Sequence, residues 1–358
     1  MTTNDPRLFG IKKSNRNFKN AETWGKNQFN SSFPAALACY MFSKNLKAVY
    51  IQADSKMNSK IGYIDFASMF KISPLDKNTY FSFETQFLPY QKYVVGSIPR
   101  NDLVIQNVSS NQCLSSFEIK LTALPDNATC NLSESEYGSE IVVRPDTIVY
   151  LACSFIEMYD GNQEILKKAI GNVGNKITDW TQASNVLPYI NDINSVIRKV
   201  VKEKNTKQMP LIIEPIWKTN GKSPQLSDNC LDIFVWSNLG MLNLFMPSEN
   251  EELTSINRHT RSMIWLFKML LDFVNDGHFD GEKIIDELSY NTKNDKAFST
   301  NGSRTHSLMA CQELTKPRIT KKEIKNIILG GGQNLLSPER RFDAIIFNSP
   351  DLFTESEQ

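Results

Sequence analysis

Residues 115–126, SSFEIKLTALPD, alternate between apolar and polar side chains with the period of two that is typical of a β-strand. Phe117 and Ile119 would point to one face of that strand, and Glu118 and Lys120 to the other. An acid and a lysine therefore share one strand face. A solvated surface pair has the same pattern, so the neighbouring sequence must distinguish a surface strand from a site that carries chemistry.

A second carboxylate lies upstream of this strand. Asp102 opens the apolar run LVI, and fifteen residues separate it from Glu118. The polar segment NVSSNQ (107–112) predicts a turn that brings the two strands side by side. Two carboxylates on neighbouring strands, with Lys120 beside one of them, are the groups that metal-assisted hydrolysis of a phosphodiester requires.

The residue types at this hairpin predict a magnesium site. Mg²⁺ prefers hard oxygen ligands and keeps several of its waters, so we expect Asp102, Glu118 and the backbone carbonyl of Ile119 to bind it. The metal would make the attacking water more acidic and offset charge on the transition state. Lys120 is expected to orient that water or to help deprotonate it. Glu22, at the front of the first helical region, is a further candidate that would act as a ligand or through water.

The pattern Asp102…Glu118-Ile-Lys120 resembles the catalytic signature of the PD-(D/E)XK nucleases. Longer blocks resemble the HindVP/HgiDI family of type II restriction endonucleases; they are WGKNQFNSSFPAALACYM (24–41), FEIKLTALPD (117–126), PIWKTNGKSP (215–224) and LDIFVWSNL (231–239). The resemblance runs through most of the chain. It implies a Mg²⁺-dependent homodimer that cuts both strands of the palindrome GRCGYC.

One position departs from the PD-(D/E)XK signature. Asp102 follows Asn101 rather than a proline, and Pro99 lies three residues before Asp102. The segment Arg144-Pro145-Asp146 offers a literal Pro-Asp pair, but it comes after Glu118 and begins a predicted helix. We therefore prefer Asp102 as the first acid of the signature.

The composition indicates a cytoplasmic protein, and the family resemblance implies a bacterial one. Forty basic and 39 acidic side chains leave the chain nearly neutral, which still permits a local positive surface. Six cysteines without a C-x-x-C pair are typical of reduced thiols, and the start MTTNDPRLFG has no apolar core of a secretory signal. We expect no membrane partner, because the longest apolar run is about half of a membrane span.

The order of the predicted elements favours an α/β fold. We expect a PD-(D/E)XK restriction-endonuclease-like core, in which a mixed sheet is flanked by helices, with a C-terminal helical and loop elaboration. Residues 1–276 would form the nuclease core with a basic N-terminal arm, and residues 277–358 a basic, loop-rich extension that could contact DNA. The predicted strands are 46–53, 61–70, 79–88, 102–106, 114–123, 211–217 and 231–236, and the predicted helices are 34–44, 141–170, 184–204 and 258–276.

Two basic regions are candidates for DNA contacts. Lys218 and Lys222 lie in the loop between two predicted strands and would either touch a phosphate or be solvated. Residues 291–325 hold eight Lys or Arg against three acids, among Ser, Thr, Asn and Gln. Such side chains reach phosphates and base edges, although a solvated loop has the same composition.

Within the second region, we expect different roles for different cations. Arg304 lies in the glycine-containing loop STNGSRTHS and would donate to a guanine. Arg318, Lys321 and Lys322 suit phosphate contact better. The competing hypothesis is that this loop is solvated and that residues 215–239 read the bases.

The predicted partners are double-stranded DNA, a second copy of the chain, and a cognate DNA methyltransferase that acts on the same site without forming a stable complex. The apolar stripe of helix 258–276 is core or one candidate dimer interface. Two alternatives stay open on the sequence. One is a structure-specific repair nuclease or resolvase with the same core, and the other is a DNA-binding protein without catalysis.

Overall fold

A computed structural model describes part of the chain. The described residues are 45–53, 59–70, 72, 78–120, 141–204, 210–212, 217–220, 223–226, 233–235, 242, 246–247, 251–290 and 298–300. Within these ranges, the strands form one large sheet and two small ones, and the helices pack beside the large sheet. This arrangement of sheet and helices agrees with the predicted α/β class.

The large sheet has seven strands in the order β2-β1-β7-β10-β5-β4-β3. The strands are β1 (Ala48–Ala53), β2 (Ser59–Ile64), β3 (Thr79–Gln86), β4 (Arg100–Asn107), β5 (Cys113–Lys120), β6 (Ile141–Val143), β7 (Pro210–Ile212), β8 (Trp217–Asn220), β9 (Ser223–Leu226), β10 (Ile233–Val235) and β11 (Phe298–Thr300). The prediction of a mixed sheet was wrong for these strands, because each of their pairings in the large sheet is antiparallel. Short connections such as the β4–β5 turn can join only antiparallel neighbours.

The helices are α1 (Phe66–Phe70), α2 (Pro145–Met158), α3 (Gln163–Ile170), α4 (Ala183–Val186), α5 (Ile190–Lys204), α6 (Arg258–Asp276) and α7 (Gly281–Glu287). The bounds of α6 are those predicted from the sequence. Asn257 caps its N-terminus by accepting from the backbone N–H groups of His259 and Thr260, and Gly277 ends it with a φ of 80°. Both signals are local, which is why the sequence defines this helix well.

The core of the described residues is built around α6. Helices α2, α3 and α5 pack against it, and its apolar stripe is buried within the chain. The stripe consists of Ile264, Leu266, Phe267, Leu270, Leu271 and Val274, each at most 8% exposed. The hypothesis that this stripe forms a dimer interface was therefore wrong, since the chain's own helices already cover it.

The two faces of the sheet have different surroundings. On one face, Phe117 of β5 meets the edge of the Phe70 ring, with ring centroids 5.6 Å apart, and Leu103 is fully buried. On the other face, Val104 of β4 packs into the helical core. Side chains alternate along a strand, so Asp102 and Glu118 belong to the face that Val104 shares, next to the helices.

Strand 61–70 was predicted too long. The strand ends at Ile64, and Asp65 starts α1 by accepting hydrogen bonds from the Ser68 N–H at 2.8 Å and the Ser68 hydroxyl at 3.1 Å. These bonds hold the pKa of the Asp65 carboxyl below its usual value. An aspartate that caps a helix outweighs the strand preference of the residues after it.

Two other predicted elements are divided. Residues 141–170 contain the short strand β6, then α2 and α3, which are separated at Gly161 with a φ of 64°. Residues 211–217 contribute to two different sheets, because β7 belongs to the large sheet and β8 pairs only with β9 among the described strands. The predicted helix 34–44 and residues 121–123 of the predicted strand 114–123 lie outside the described residues.

The described residues after position 276 pack onto the core. The indole N–H of Trp265 donates to the Leu288 carbonyl at 2.8 Å, and the Tyr290 hydroxyl donates to the Trp180 carbonyl at 2.6 Å. Strand β11 pairs with β6. The domain division at 276/277 stays a prediction. Among the described helices, none is long and apolar enough to cross a membrane.

Candidate active site

The β4–β5 hairpin brings the two acids of the signature together, as the sequence predicts. Its turn is closed by Asn107, whose side-chain oxygen accepts from the Ser109 N–H at 2.9 Å and the Ser110 N–H at 3.1 Å. The strands pair Val104 with Ser116 and Leu103 with Phe117. One step further in the same register sets Asp102 opposite Glu118.

The carboxylate of Asp102 bonds directly to the neighbouring strand. At the end of the hairpin opposite the turn, the pairing of β4 with β5 stops at Leu103 and Phe117. There the side chain of Asp102 takes over, since its Oδ2 accepts a hydrogen bond from the Ile119 N–H at 2.7 Å. A charged acceptor makes such a bond strong. Asp102 is therefore held next to the peptide whose carbonyl was predicted as a metal ligand, and its role as the first acid stays a prediction.

Asn101 has a structural role that sequence reasoning missed, because it bonds to the backbone of Asp102. It replaces the proline of the signature, is 1% exposed, and accepts from the Asp102 N–H through Oδ1 at 2.9 Å. Among the described residues its amide nitrogen has no hydrogen-bond partner, which is rare for a buried polar group. Nothing in the sequence pattern distinguishes this asparagine from a turn residue.

Glu118 is buried rather than solvated. Its side chain is 8% exposed, and Oε1 accepts a hydrogen bond from the hydroxyl of Thr147 at 2.9 Å. Thr147 lies in the first turn of α2 and is 1% exposed. Because Glu118 is buried, the alternative of a solvated surface pair does not hold for this glutamate. A buried carboxylate requires partners that offset its lost hydration, and Thr147 is one of them.

Tyr150 ties the same helix to the beginning of β4. Its hydroxyl donates to the Pro99 carbonyl at 2.8 Å and accepts from the Phe87 N–H at 3.0 Å. Burial raises the pKa of Tyr150, and the negative charge of Glu118 adds to this effect. The phenol therefore stays neutral at physiological pH and remains a donor.

Lys120 is the last residue of β5 and pairs with Ile233 of β10, while Glu118 pairs with Val235. Two positions separate Lys120 from Glu118, so the two residues occupy the same side of the strand. The lysine side chain lies outside the described part of the chain. Its predicted role in orienting water stays a prediction.

The structure describes few of the other predicted site residues. Lys218 lies in β8, and Asp146 is exposed in the first turn of α2. The remaining candidates fall outside the described residues; they are Glu22, Lys222, Arg304, Arg318, Lys321 and Lys322.

The donors at the hairpin suit Mg²⁺. Asp102 and Glu118 offer carboxylate oxygens on facing strands, and the Ile119 peptide lies against Asp102. No group of three or more His, Cys, Asp or Glu side chains among the described residues could hold a metal ion by itself. Mg²⁺ is usually bound by one or two carboxylates, with waters and substrate phosphates completing the octahedron, and Asp102 and Glu118 are two such carboxylates.

Comparison with known proteins agrees with the resemblance seen in the sequence. The family model for the HindVP restriction endonuclease matches residues 24–353. The chain is 44% identical over 357 residues to the type II restriction enzyme HgiDI of Herpetosiphon aurantiacus, and the match covers 98% of both chains. It is 47% identical over 355 residues to the probable type II restriction enzyme HindVP of Haemophilus influenzae, covering 97% of this chain and 95% of the relative. No solved structure matches. A match of this extent shows that the chain belongs to the HindVP restriction endonuclease family.

Proposed function

We propose that this chain is a type II restriction enzyme that hydrolyses phosphodiester bonds of double-stranded DNA at a short palindromic site with Mg²⁺ as cofactor. The main structural support for this proposal is the β4–β5 hairpin, where Asp102 bonds to the Ile119 peptide and Glu118 is buried on the neighbouring strand. Two relatives that match nearly the whole chain are named type II restriction enzymes. The PD-(D/E)XK signature gives these residues their roles.

The roles follow from the position of each group. Asp102 and Glu118 would hold Mg²⁺ together with the Ile119 carbonyl. When bound, the metal supplies a more acidic water and neutralises charge on the scissile phosphate. Asp102 is positioned by its bond to the Ile119 N–H, and Lys120 would orient the attacking water from the same strand face. Glu22 would act as a further ligand or through a water.

Base readout has a candidate in the hairpin of β8 and β9. Among the described strands these two form a separate antiparallel ribbon, which pairs Lys218 with Gln225 and Asn220 with Ser223. A two-stranded ribbon fits the major groove, and amide and ammonium groups match base edges. Lys222, which lies between these two strands in the sequence, would reach a phosphate.

The second candidate for readout is the basic segment 291–325. There Arg304 would donate to guanine O6 and N7, whereas Arg318, Lys321 and Lys322 would contact phosphates. The two candidates make different predictions for variants, which are given in the Discussion.

The proposed assembly is a homodimer in the bacterial cytoplasm. A palindrome such as GRCGYC presents the same base edges twice, so one active site per strand needs two subunits related by the dyad of the DNA. Since the stripe of α6 is buried in the chain, the interface must use another surface. A cognate methyltransferase would modify the same site without a stable complex.

The decisive experiment is digestion of a mapped linear DNA with the purified full chain and Mg²⁺, followed by sequencing of the ends. We expect discrete fragments, each end falling within GRCGYC, and no cutting after chelation. A structure-specific nuclease would cut branched DNA and leave linear DNA intact. A binding protein would retard the DNA in a gel and cut neither substrate.

A further inference from the structure

One hydrogen bond between buried side chains joins α2 to the strand that carries Glu118. Thr147 Oγ1 donates to Glu118 Oε1 at 2.9 Å, and the two side chains are 1% and 8% exposed. Threonine is branched at Cβ, and at 1% exposure the surrounding side chains restrict its χ1 rotation further. The bond therefore restricts the orientation of the Glu118 carboxylate as well as offsetting part of its desolvation.

A second hydroxyl of α2 holds the strand that carries Asp102. Tyr150 follows Thr147 by three residues and so lies on the same side of the helix. It donates to the carbonyl of Pro99, which directly precedes β4, at 2.8 Å. Helix α2 therefore contacts both acid-bearing strands from one side, Glu118 directly and Asp102 through the start of its strand.

We propose that Thr147 is a positioning residue, whose hydroxyl orients the Glu118 carboxylate so that it binds Mg²⁺ jointly with Asp102. This inference rests on the proposed function, because it assigns a metal to that site. Hydrogen-bond partners in the outer shell of a metal site typically change metal affinity or activity by about 10- to 100-fold. Thr147 would act through Glu118 and would not itself bind the metal.

The test compares Thr147→Val, which keeps the shape of the side chain but removes the hydroxyl, with Thr147→Ser, which restores it. Ser154→Ala is the matched control, because Ser154 belongs to the same helix and its hydroxyl donates to the Tyr150 carbonyl at 2.8 Å. Each full-length variant is bound to a duplex containing GRCGYC and titrated with Mn²⁺, which prefers similar oxygen ligands. Electron paramagnetic resonance then reports free Mn²⁺ without requiring turnover.

We expect Thr147→Val to weaken Mn²⁺ binding by about 10- to 100-fold. The Mg²⁺ concentration for half-maximal single-turnover cleavage should rise in parallel, while metal-free DNA binding stays unchanged. Thr147→Ser should recover most of the affinity, and Ser154→Ala should behave as the unmodified chain. Circular dichroism checks folding, and if Thr147→Val does not fold, Thr147→Ala replaces it with the same expectations.

Two results would overturn the inference. One is unchanged Mn²⁺ affinity in a folded variant that lacks the Thr147 hydroxyl. The other is an equal loss in Ser154→Ala, which would indicate a general weakening of α2. Failure of the proposed function looks different, because then the unmodified chain itself would neither bind Mn²⁺ at this site nor cut the duplex.

Discussion

Two substitutions of Asp102 test separately its contribution to stability and its proposed role in cleavage. Asp102→Ala removes both the charge and the acceptor of the Ile119 N–H, whereas Asp102→Asn retains a side-chain oxygen that can still accept this bond. The bond is 2.7 Å long, and Ile119 is only 7% exposed, so water cannot easily replace the lost oxygen. The two substitutions should therefore differ in stability and agree in activity.

The size of the difference follows from the cost of an unsatisfied donor. A buried N–H without a partner costs about 1–3 kcal/mol, so Asp102→Ala should lower the free energy of unfolding by about that amount. Asp102→Asn should lose distinctly less. Both variants lack one carboxylate of the proposed metal site, which should raise the barrier by several kcal/mol and reduce cleavage by orders of magnitude.

Urea unfolding of the metal-free full chain measures the first quantity, and nicking of a supercoiled plasmid with Mg²⁺ measures the second. The unmodified chain and Ser154→Ala serve as references on both scales. If Asp102→Asn cuts at nearly the normal rate, Asp102 is not the first acid of the site, and Asp146 becomes the next candidate. If Asp102→Ala is as stable as Asp102→Asn, the bond to Ile119 does not support the fold.

Three further predictions concern chemistry, readout and assembly. Glu118→Gln and Lys120→Ala should each abolish plasmid cleavage but leave specific binding in a gel-shift assay largely intact; near-normal cutting by Lys120→Ala would remove that residue from the mechanism. Arg304→Ala should lose discrimination at a guanine by about 1–3 kcal/mol, whereas Arg318→Ala should weaken binding to all sequences alike and flatten its salt dependence. Unchanged fidelity of Arg304→Ala would shift base readout to the β8–β9 hairpin. Sedimentation should show two subunits on each DNA site, and a monomer both free and bound would exclude the proposed homodimer.

The hairpin of the candidate site could be predicted from the sequence because its determinants are local. The polar turn, the apolar run after Asp102 and the alternation around Glu118 all lie within one short segment. Helix α6 was predictable for the same reason, since Asn257 and Gly277 mark its two ends. The longer strand predicted at 61–70 failed because a single capping residue, Asp65, redirects the chain.

The partners of the two acids could not be predicted in this way. Strand β6 and the start of α2 lie between Glu118 and Thr147 in the sequence. No spacing rule connects a strand glutamate with a threonine 29 residues later. The alternation of β5 predicts the side of the strand to which Glu118 points, but it does not predict what covers that side. A strand with alternating polarity usually has a solvated polar face, and here α2 covers it instead.

The burial of Glu118 has an energetic consequence for the whole site. A carboxylate removed from water loses hydration free energy, and the hydroxyl of Thr147 offsets part of this loss. The first turn of α2 adds the favourable end of a helix dipole, which is worth less than one full hydrogen bond to a charged group. A cation bound between Glu118 and Asp102 would offset more than either, because it neutralises both carboxylates at once. If a cation binds at this hairpin as we propose, we therefore expect it to raise the free energy of unfolding of the chain.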